Sequence, residues 1–256
     1  IAIFRGSWKV YKDRSKPNSE YEEIIEKEIR TKYNELKLLA KRENLLQPQV
    51  IYGYYPAASE GNDLIIYKPK EMEGEKLYGE WDVEMKKENF IEWQRFSFPR
   101  QQGKKNLCIS DFYKPVTDSE LDIIGMMIVT VGKTATEYAQ KLYDGNKYQD
   151  YLYFHGFSVE TAEALAEYWH KAMRVELGIS GSDSASVKDL FHQGYQGSRY
   201  SFGYPACPNL EDNAVMFEIL RPERIGIELT EEFQMVPEQT TNAIVVHHPK
   251  AKYFFL

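Results

Sequence analysis

Cysteine is nearly absent from the 256-residue sequence: Cys108 and Cys207 are the only two, far apart in the chain. That excludes a disulfide framework and a Cys-x-x-Cys zinc site; one disulfide stays open, and two reduced thiols in a cytoplasm are the expectation. Basic charge is also short, with 32 Lys and Arg against 39 Asp and Glu and a net charge of -7. Phosphate contacts need a basic surface, so no nucleic-acid partner is expected. Apolar runs stay below the roughly 18 residues of a membrane span. The longest, "IIGMMIVTVG" at 123–132, has strand length, so no membrane partner is expected either. The chain opens on "IAIFRGSWKV" without an initiator Met or a signal-peptide pattern, as a piece of something longer would.

Catalytic signatures are missing too. No GxSxG, HExxH or GxGxxG occurs. The GKT in "VGKTATEYA" lacks the glycine that a phosphate loop places five residues earlier, where Met127 stands. The paired histidines of "VVHHP" at 245–249 point to opposite faces if on a strand, and no carboxylate or cysteine stands at ligand spacing, so no metal is expected.

What the sequence does hold is tyrosine, 19 residues against 4 Trp. A ring with a hydroxyl suits half-wet clefts as well as core edges. Residues 18–46 have the spacing of an amphipathic helix, capped by Asn18 or Ser19, with Tyr21, Ile25, Ile29, Leu36 and Leu39 on the face that would cover a sheet. "QVIYGYY" and "DLIIYK" read as strands joined by a turn in "PAASEGN", and "FIEWQRFSFPR" as a continuation of the sheet. "NLCISDFY" and "DIIGMMIVTVG" read as central strands. Residues 133–177 read as helical, interrupted at "HGFS" (155–158), with Ser158 or Thr161 capping the second helix and Ala162, Leu165, Ala166, Trp169, Met173 and Leu177 on one stripe. "SGSDSAS" at 180–186 reads as a surface loop, "EDNAVMFEIL" as a helix, and the segment from "IGIEL" onward as strands to the end. This irregular order predicts an α+β fold with a largely antiparallel sheet rather than a doubly wound one.

One stretch concentrates special residues: "YQGSRYSFGYPACPNL" at 195–210. Gly203 permits a positive φ or a close approach, and Pro205 and Pro208 stiffen the backbone beyond it. Arg199 is a planar donor fork suited to a carboxylate, and Tyr200, Phe202 and Tyr204 offer flat faces. From the chemistry alone, a binding mould and a rigid loop with Arg199 on a neighbouring acid remain equal alternatives. "YGYYPA" at 52–57 echoes the Gly-Tyr-Pro-Ala portion, as a second rim of the same groove or as turn chemistry.

At Arg199, Gly203, Tyr204, Pro205, Ala206, Cys207 and Pro208 the sequence resembles the activation domain of cobalamin-dependent methionine synthase, with its Arg-x-x-x-Gly-Tyr-Pro-Ala-Cys-Pro motif. "YGYYPAASEGNDLIIY", "NLCISDFYKP", "DIIGMMIVTVG", "AEALAEYWH", "LTEEFQMVP" and "HHPKAKYFFL" fall in family order, so the resemblance covers most of residues 1–256. It implies one helmet- or C-shaped α+β domain with a twisted, largely antiparallel sheet flanked by helices. It also implies S-adenosylmethionine as methyl donor for reductive methylation of cob(II)alamin to methylcobalamin, reactivating a homocysteine methyltransferase. The cobalamin is held by a separate domain, since the DxHxxG corrinoid pattern is missing here, and flavodoxin or a flavoprotein reductase supplies the electron.

Carried over by residue, Arg199 grips the methionine carboxylate, Ser201 offers main-chain contacts, Gly203 permits close approach, and Tyr204 faces the corrin or the methyl group. Tyr253 and Phe254 on the final strand line the ligand, and Glu163 is an acid near it. No residue of the chain is assigned to acid–base or nucleophilic catalysis. The other functions open to the chain are a free-standing S-adenosylmethionine sensor or activator of another corrinoid protein, and a flavodoxin-docking scaffold. Docking of an acidic flavodoxin would use Arg100, Lys104 and Lys105.

Overall fold

The computed structural model describes Trp8, Ser15, residues 17–103 and residues 105–256. The strands are β1 (Gln49–Glu60), β2 (Asp63–Pro69), β3 (Phe90–Ser97), β4 (Asp122–Thr130), β5 (Ser198–Tyr200), β6 (Glu228–Leu229), β7 (Met235–Val236) and β8 (Thr240–Val246). The helices are α1 (Asn18–Ile24), α2 (Arg30–Arg42), α3 (Lys133–Asp144), α4 (Tyr148–Glu176), α5 (Val187–Leu190) and α6 (Asp212–Leu220). Six strands form the central sheet in the order β3-β2-β1-β4-β8-β5, antiparallel at every pairing. The short strands β6 and β7 form a separate pair.

β4 shows why an unbroken apolar run becomes a central strand. Its even-numbered Ile124, Met126 and Ile128 enter one core with Phe96, Tyr200 and the apolar residues of α6. Its odd-numbered Met127 and Val129 pack on Ala166 and Met173 of the long helix α4. Both faces are covered, so polar alternation has no place in it. Each such fully buried side chain contributes about 1.5–3 kcal/mol.

The first helical segment comprises α1, a π turn (Ile25–Ile29) and α2. Pro17, rather than Asn18 or Ser19, stands at the N-cap, its fixed φ of -56 already suited to a helix start. Ile25, Ile29, Leu36 and Ala40 are buried against Phe154, Phe157 and Ala162 of α4 and Ala135 and Ala139 of α3. The segment therefore covers helices, not the sheet as expected.

Three other expectations are corrected. β1 runs through "PAASE", and the chain reverses only at Gly61 and Asn62. "NLCISDFY" is no strand. Residues Ile109–Phe112 form a 3-10 turn, because Asp111 accepts from the Cys108 N–H at 2.9 Å and binds Arg100 at 2.7 and 2.8 Å, while Ser110 donates to the Gly61 carbonyl. α4 passes through "HGFS" without a break: Ser158 and Thr161 donate back to the His155 and Phe157 carbonyls instead of capping a new helix. The helical break falls earlier, between α3 and α4 around Gly145 and Asn146. Cys108 and Cys207 are free and buried, and among the described residues no helix is long and apolar enough to cross a membrane.

α6 carries a pH-sensitive group. Burial pushes the Asp212 carboxyl from its ordinary 3.8 up to about 6; the Asn209 hydrogen bond offsets part of this and Glu211 adds to it. Between those values the native state keeps a proton that the unfolded chain has released, so stability falls as pH rises through about 4 to 6. The loss from this group is on the order of 2–3 kcal/mol at pH 7. Asp212→Asn is expected to flatten that part of the stability–pH curve in urea titrations; an unchanged slope would exclude Asp212 as its source.

Candidate functional site

The 195–210 stretch sits on the outer edge of the sheet. β5 pairs with β8, and its alternation sorts three consecutive side chains. Ser198 and Tyr200 turn inward; Tyr200 donates from its hydroxyl to the Lys252 carbonyl at 2.8 Å. Arg199 points the other way, onto α4. There Glu163 and Glu167, four residues apart and so on one helix face, accept its hydrogen bonds. Nη2 donates to Glu163 at 3.3 Å and to Glu167 at 3.0 Å, and Nε donates to Glu167 at 3.2 Å. Burial works to lower the Arg199 pKa, but Glu167 and Glu163 outweigh it and hold the group above its ordinary value. The guanidinium is therefore a fixed charge, and its Nη1 is bonded to none of the described residues.

After β5 the chain makes a tight turn. Gly203 has φ +86, so the backbone conformation calls for glycine; a Cβ there would stand 2.8 Å from Leu210 Cδ2, the movable end of an exposed side chain. Its N–H donates to the Cys207 carbonyl at 3.0 Å, and the Cys207 N–H to that of Tyr204 at 2.9 Å. Phe202, Ala206 and Cys207 are buried beneath the turn. Burial, then Asp212, pushes the Cys207 thiol up to about 12, which suits a packing role. Asn242 accepts from the Phe202 N–H at 3.1 Å and donates to Asn213 at 2.8 Å, tying the turn to β8 and α6. Tyr204, by contrast, is thrown outward and is 52% exposed.

The result is a cleft of about 460 Å³ bounded by Glu163, Glu167, Arg199, Ser201, Tyr204 and Tyr253, with Tyr195, Phe191 and Phe255 completing its aromatic wall. Two of the seven residues singled out in the sequence do not border it. Gly203 shapes the turn beneath Tyr204. Phe254 is buried against Tyr200, with ring centroids 5.9 Å apart. The last residues form no strand, yet their burial still alternates: Tyr253 and Phe255 share the cleft side and Phe254 faces the core.

Glu167 and Tyr195 escaped the sequence reading. For Glu167 the signal was present, one helical turn after Glu163. The "YGYYPA" segment does not rim this cleft; Tyr52–Pro56 line a separate cavity with no residue in common. Of the paired histidines, His247 bonds Asp122 at 2.6 Å and His248 packs on Phe112. Among the described residues no cluster of three or more His, Cys, Asp or Glu could hold a metal.

Residues 3–256 match the family described as the activation domain of vitamin B12 dependent methionine synthase. The chain belongs to this family. As an activation domain it is 40% identical over 264 aligned residues to the methionine synthases of Mycobacterium tuberculosis and Mycobacterium leprae. The alignment takes in 99% of this chain but 21% of each relative, so the activation domain spans about a fifth of those proteins. Its fold matches a crystal structure of the MetH reactivation domain bound to AdoHcy, with TM-score 0.79 and 25% identity, over 98% of this chain and 74% of that one.

Proposed function

We propose that this activation domain binds S-adenosylmethionine in the Arg199 cleft as methyl donor for the reductive methylation of cob(II)alamin, and so serves the reactivation of a methionine synthase. The observation that carries the reading is the charge pattern of the cleft: a fixed guanidinium between two carboxylates, facing aromatic rings. An amino-acid carboxylate complements Nη1 of Arg199. The ligand's ammonium and sulfonium are both positive and complement Glu163 and Glu167. Its adenine ring suits Tyr195, Tyr253 and Phe255. The donor set thus fits the molecule, and the solved domain of like fold was bound to AdoHcy, the same ligand without its methyl group.

The sulfonium supplies its own excellent leaving group. The residues of this chain therefore need no acid or base; they hold the ligand, orient its methyl carbon and exclude water. Half-exposed Tyr204 stands at the mouth of the cleft, where a cobalamin carried by another domain, in the same chain as in the multidomain relatives, would approach. Flavodoxin or a flavoprotein reductase is the proposed electron donor. Of the basic patch expected for it, Arg100 is bonded to Asp111, and Lys104 lies outside the described residues. Lys105, of the same expected patch, is exposed beside Phe255 together with Lys250, which joins it as a candidate.

Isothermal titration of the folded chain with S-adenosylmethionine, and separately with S-adenosylhomocysteine, tests the reading. Saturable one-site binding of both is expected. A folded chain that binds neither would sink it.

A further inference from the structure

The cavity lined by "YGYYP" (52–56) encloses about 810 Å³ and draws its walls from both faces of the sheet. Tyr52 and Tyr54 pack with Trp169 and Met173 on the α4 side, whereas Tyr55 packs with Ile219 and Leu220 on the α6 side. Neighbouring strand residues point to opposite faces, yet all three border one space, along with Glu176 of α4 and Leu220 of α6. Such a cavity can only run along a strand edge.

That edge is open. β2 pairs with β1 only from Ala57↔Ile66 to Glu60↔Asp63. A register shift between Ile66 and Tyr67 then bends the β2–β3 pair away, and the connection after β2 supplies Tyr78 and Trp81 as the far wall. The hairpin fixes which backbone groups face the gap. Its closing pair, Glu60 and Asp63, is the hydrogen-bonded kind that a two-residue turn requires, so even-numbered residues of β1 point toward β2. Ser59 agrees, giving its N–H to Lys114 at 2.8 Å and its carbonyl to the Val116 N–H at 2.9 Å on the opposite side. Gly53 and Tyr55 therefore bond β4, while Tyr52 and Tyr54 direct N–H and C=O into the cavity. β2 does not extend to them, and among the described residues no turn or loop backbone group bonds them. Pro56, next in the series, has no N–H to strand, as a free edge tolerates.

We propose that this edge docks an extended peptide segment of a partner polypeptide, which adds to β1 as a strand with basic side chains toward Glu176 and apolar ones toward Tyr55, Tyr78 and Trp81. Alternating main-chain donors and acceptors are matched in full by another main chain. Glu176 supplies the charge preference. It is exposed, and its two oxygens accept from the Tyr52 hydroxyl at 3.1 Å and the Tyr54 hydroxyl at 2.6 Å, which hold it beside the edge. Arg224, the cation of the lining, is turned toward the Leu220 and Arg221 carbonyls. The site is separate from the Arg199 cleft and stands whatever that cleft binds.

The test uses this chain and an acetylated, amidated pentapeptide, Lys-Val-Lys-Val-Lys, followed by amide NMR and hydrogen exchange. In the free protein the Tyr52 and Tyr54 amides are expected to exchange at least about 10-fold faster than those of Gly53 and Tyr55, and saturating peptide to slow them by about as much. Glu176→Gln is expected to raise the dissociation constant by roughly 5-fold. The fully N-methylated peptide and Glu-Val-Glu-Val-Glu should not bind; neither control depends on a variant folding. Equal binding of either control, or no change at Tyr52 and Tyr54 with the lysine peptide, overturns the proposal.

Discussion

Arg199→Ala is expected to weaken S-adenosylmethionine binding by about 100-fold or more, within the 2–5 kcal/mol typical for deleting one member of a desolvated charge pair. The loss has two parts. The ligand carboxylate loses its donor, and Glu163 and Glu167 are left as adjacent negative charges facing that carboxylate. Both acids are partly open to water, with side chains 34% and 42% exposed, so the fold should survive with little change in melting temperature. Arg199→Lys keeps the charge but loses the planar fork, and an intermediate loss of about 10-fold is expected. Titration calorimetry on both variants, with a thermal melt as control, checks this. A folded Arg199→Ala protein that binds as tightly as wild type would show that the carboxylate lies elsewhere.

Arg174→Ala should have the largest effect on stability, about 3–5 kcal/mol, because it leaves a shielded carboxylate without its partner. Arg174 lies in the last turns of α4 with its side chain 3% exposed, bonded to Asp183 at 3.1 and 2.8 Å. Its guanidinium also stacks 4.2 Å from the ring centre of Tyr195, which walls the cleft. The same ring meets His170 edge-on at 5.2 Å. The substitution should therefore shift the urea midpoint strongly and also weaken ligand binding through a loosened Tyr195. Arg174→Met, which refills the volume but cannot pair, should recover only part of the stability. A midpoint shift below about 1 kcal/mol for Arg174→Ala would mean that the pair is offset by its own desolvation.

Arg174 also marks a limit of the sequence. "SGSDSAS" reads correctly as a loop, yet nothing in its composition says that Asp183 neutralises an arginine buried nine residues earlier. "NLCISDFY" has the apolar content of a strand, and a short apolar run cannot be told from a buried turn by periodicity. Asp111 decides the matter by meeting Arg100, which also bonds Asn62 in the β1–β2 turn. "HGFS" has the residues of a break, but Phe154 and Phe157 are buried against the first helical segment, and that packing outweighs the roughly 1 kcal/mol cost of a helical glycine. Phe254 and Phe255 differ only in the parity of the tail, which is set by where Tyr253 meets Gln193.

Some properties of this protein are local, and its sequence determined them alone. Periodicity placed the α4 stripe and the apolar run placed β4. The Arg199–Pro208 motif marked a tight turn that carries a cation and an outward ring. Contacts between distant segments were decided only by the tertiary structure. It set Glu163 and Glu167 beneath Arg199, chose Phe255 over Phe254 for the cleft, and separated the two Gly-Tyr segments. Side-chain direction on one element comes from that element's own repeat, whereas the register between elements is fixed by the packing of the whole core.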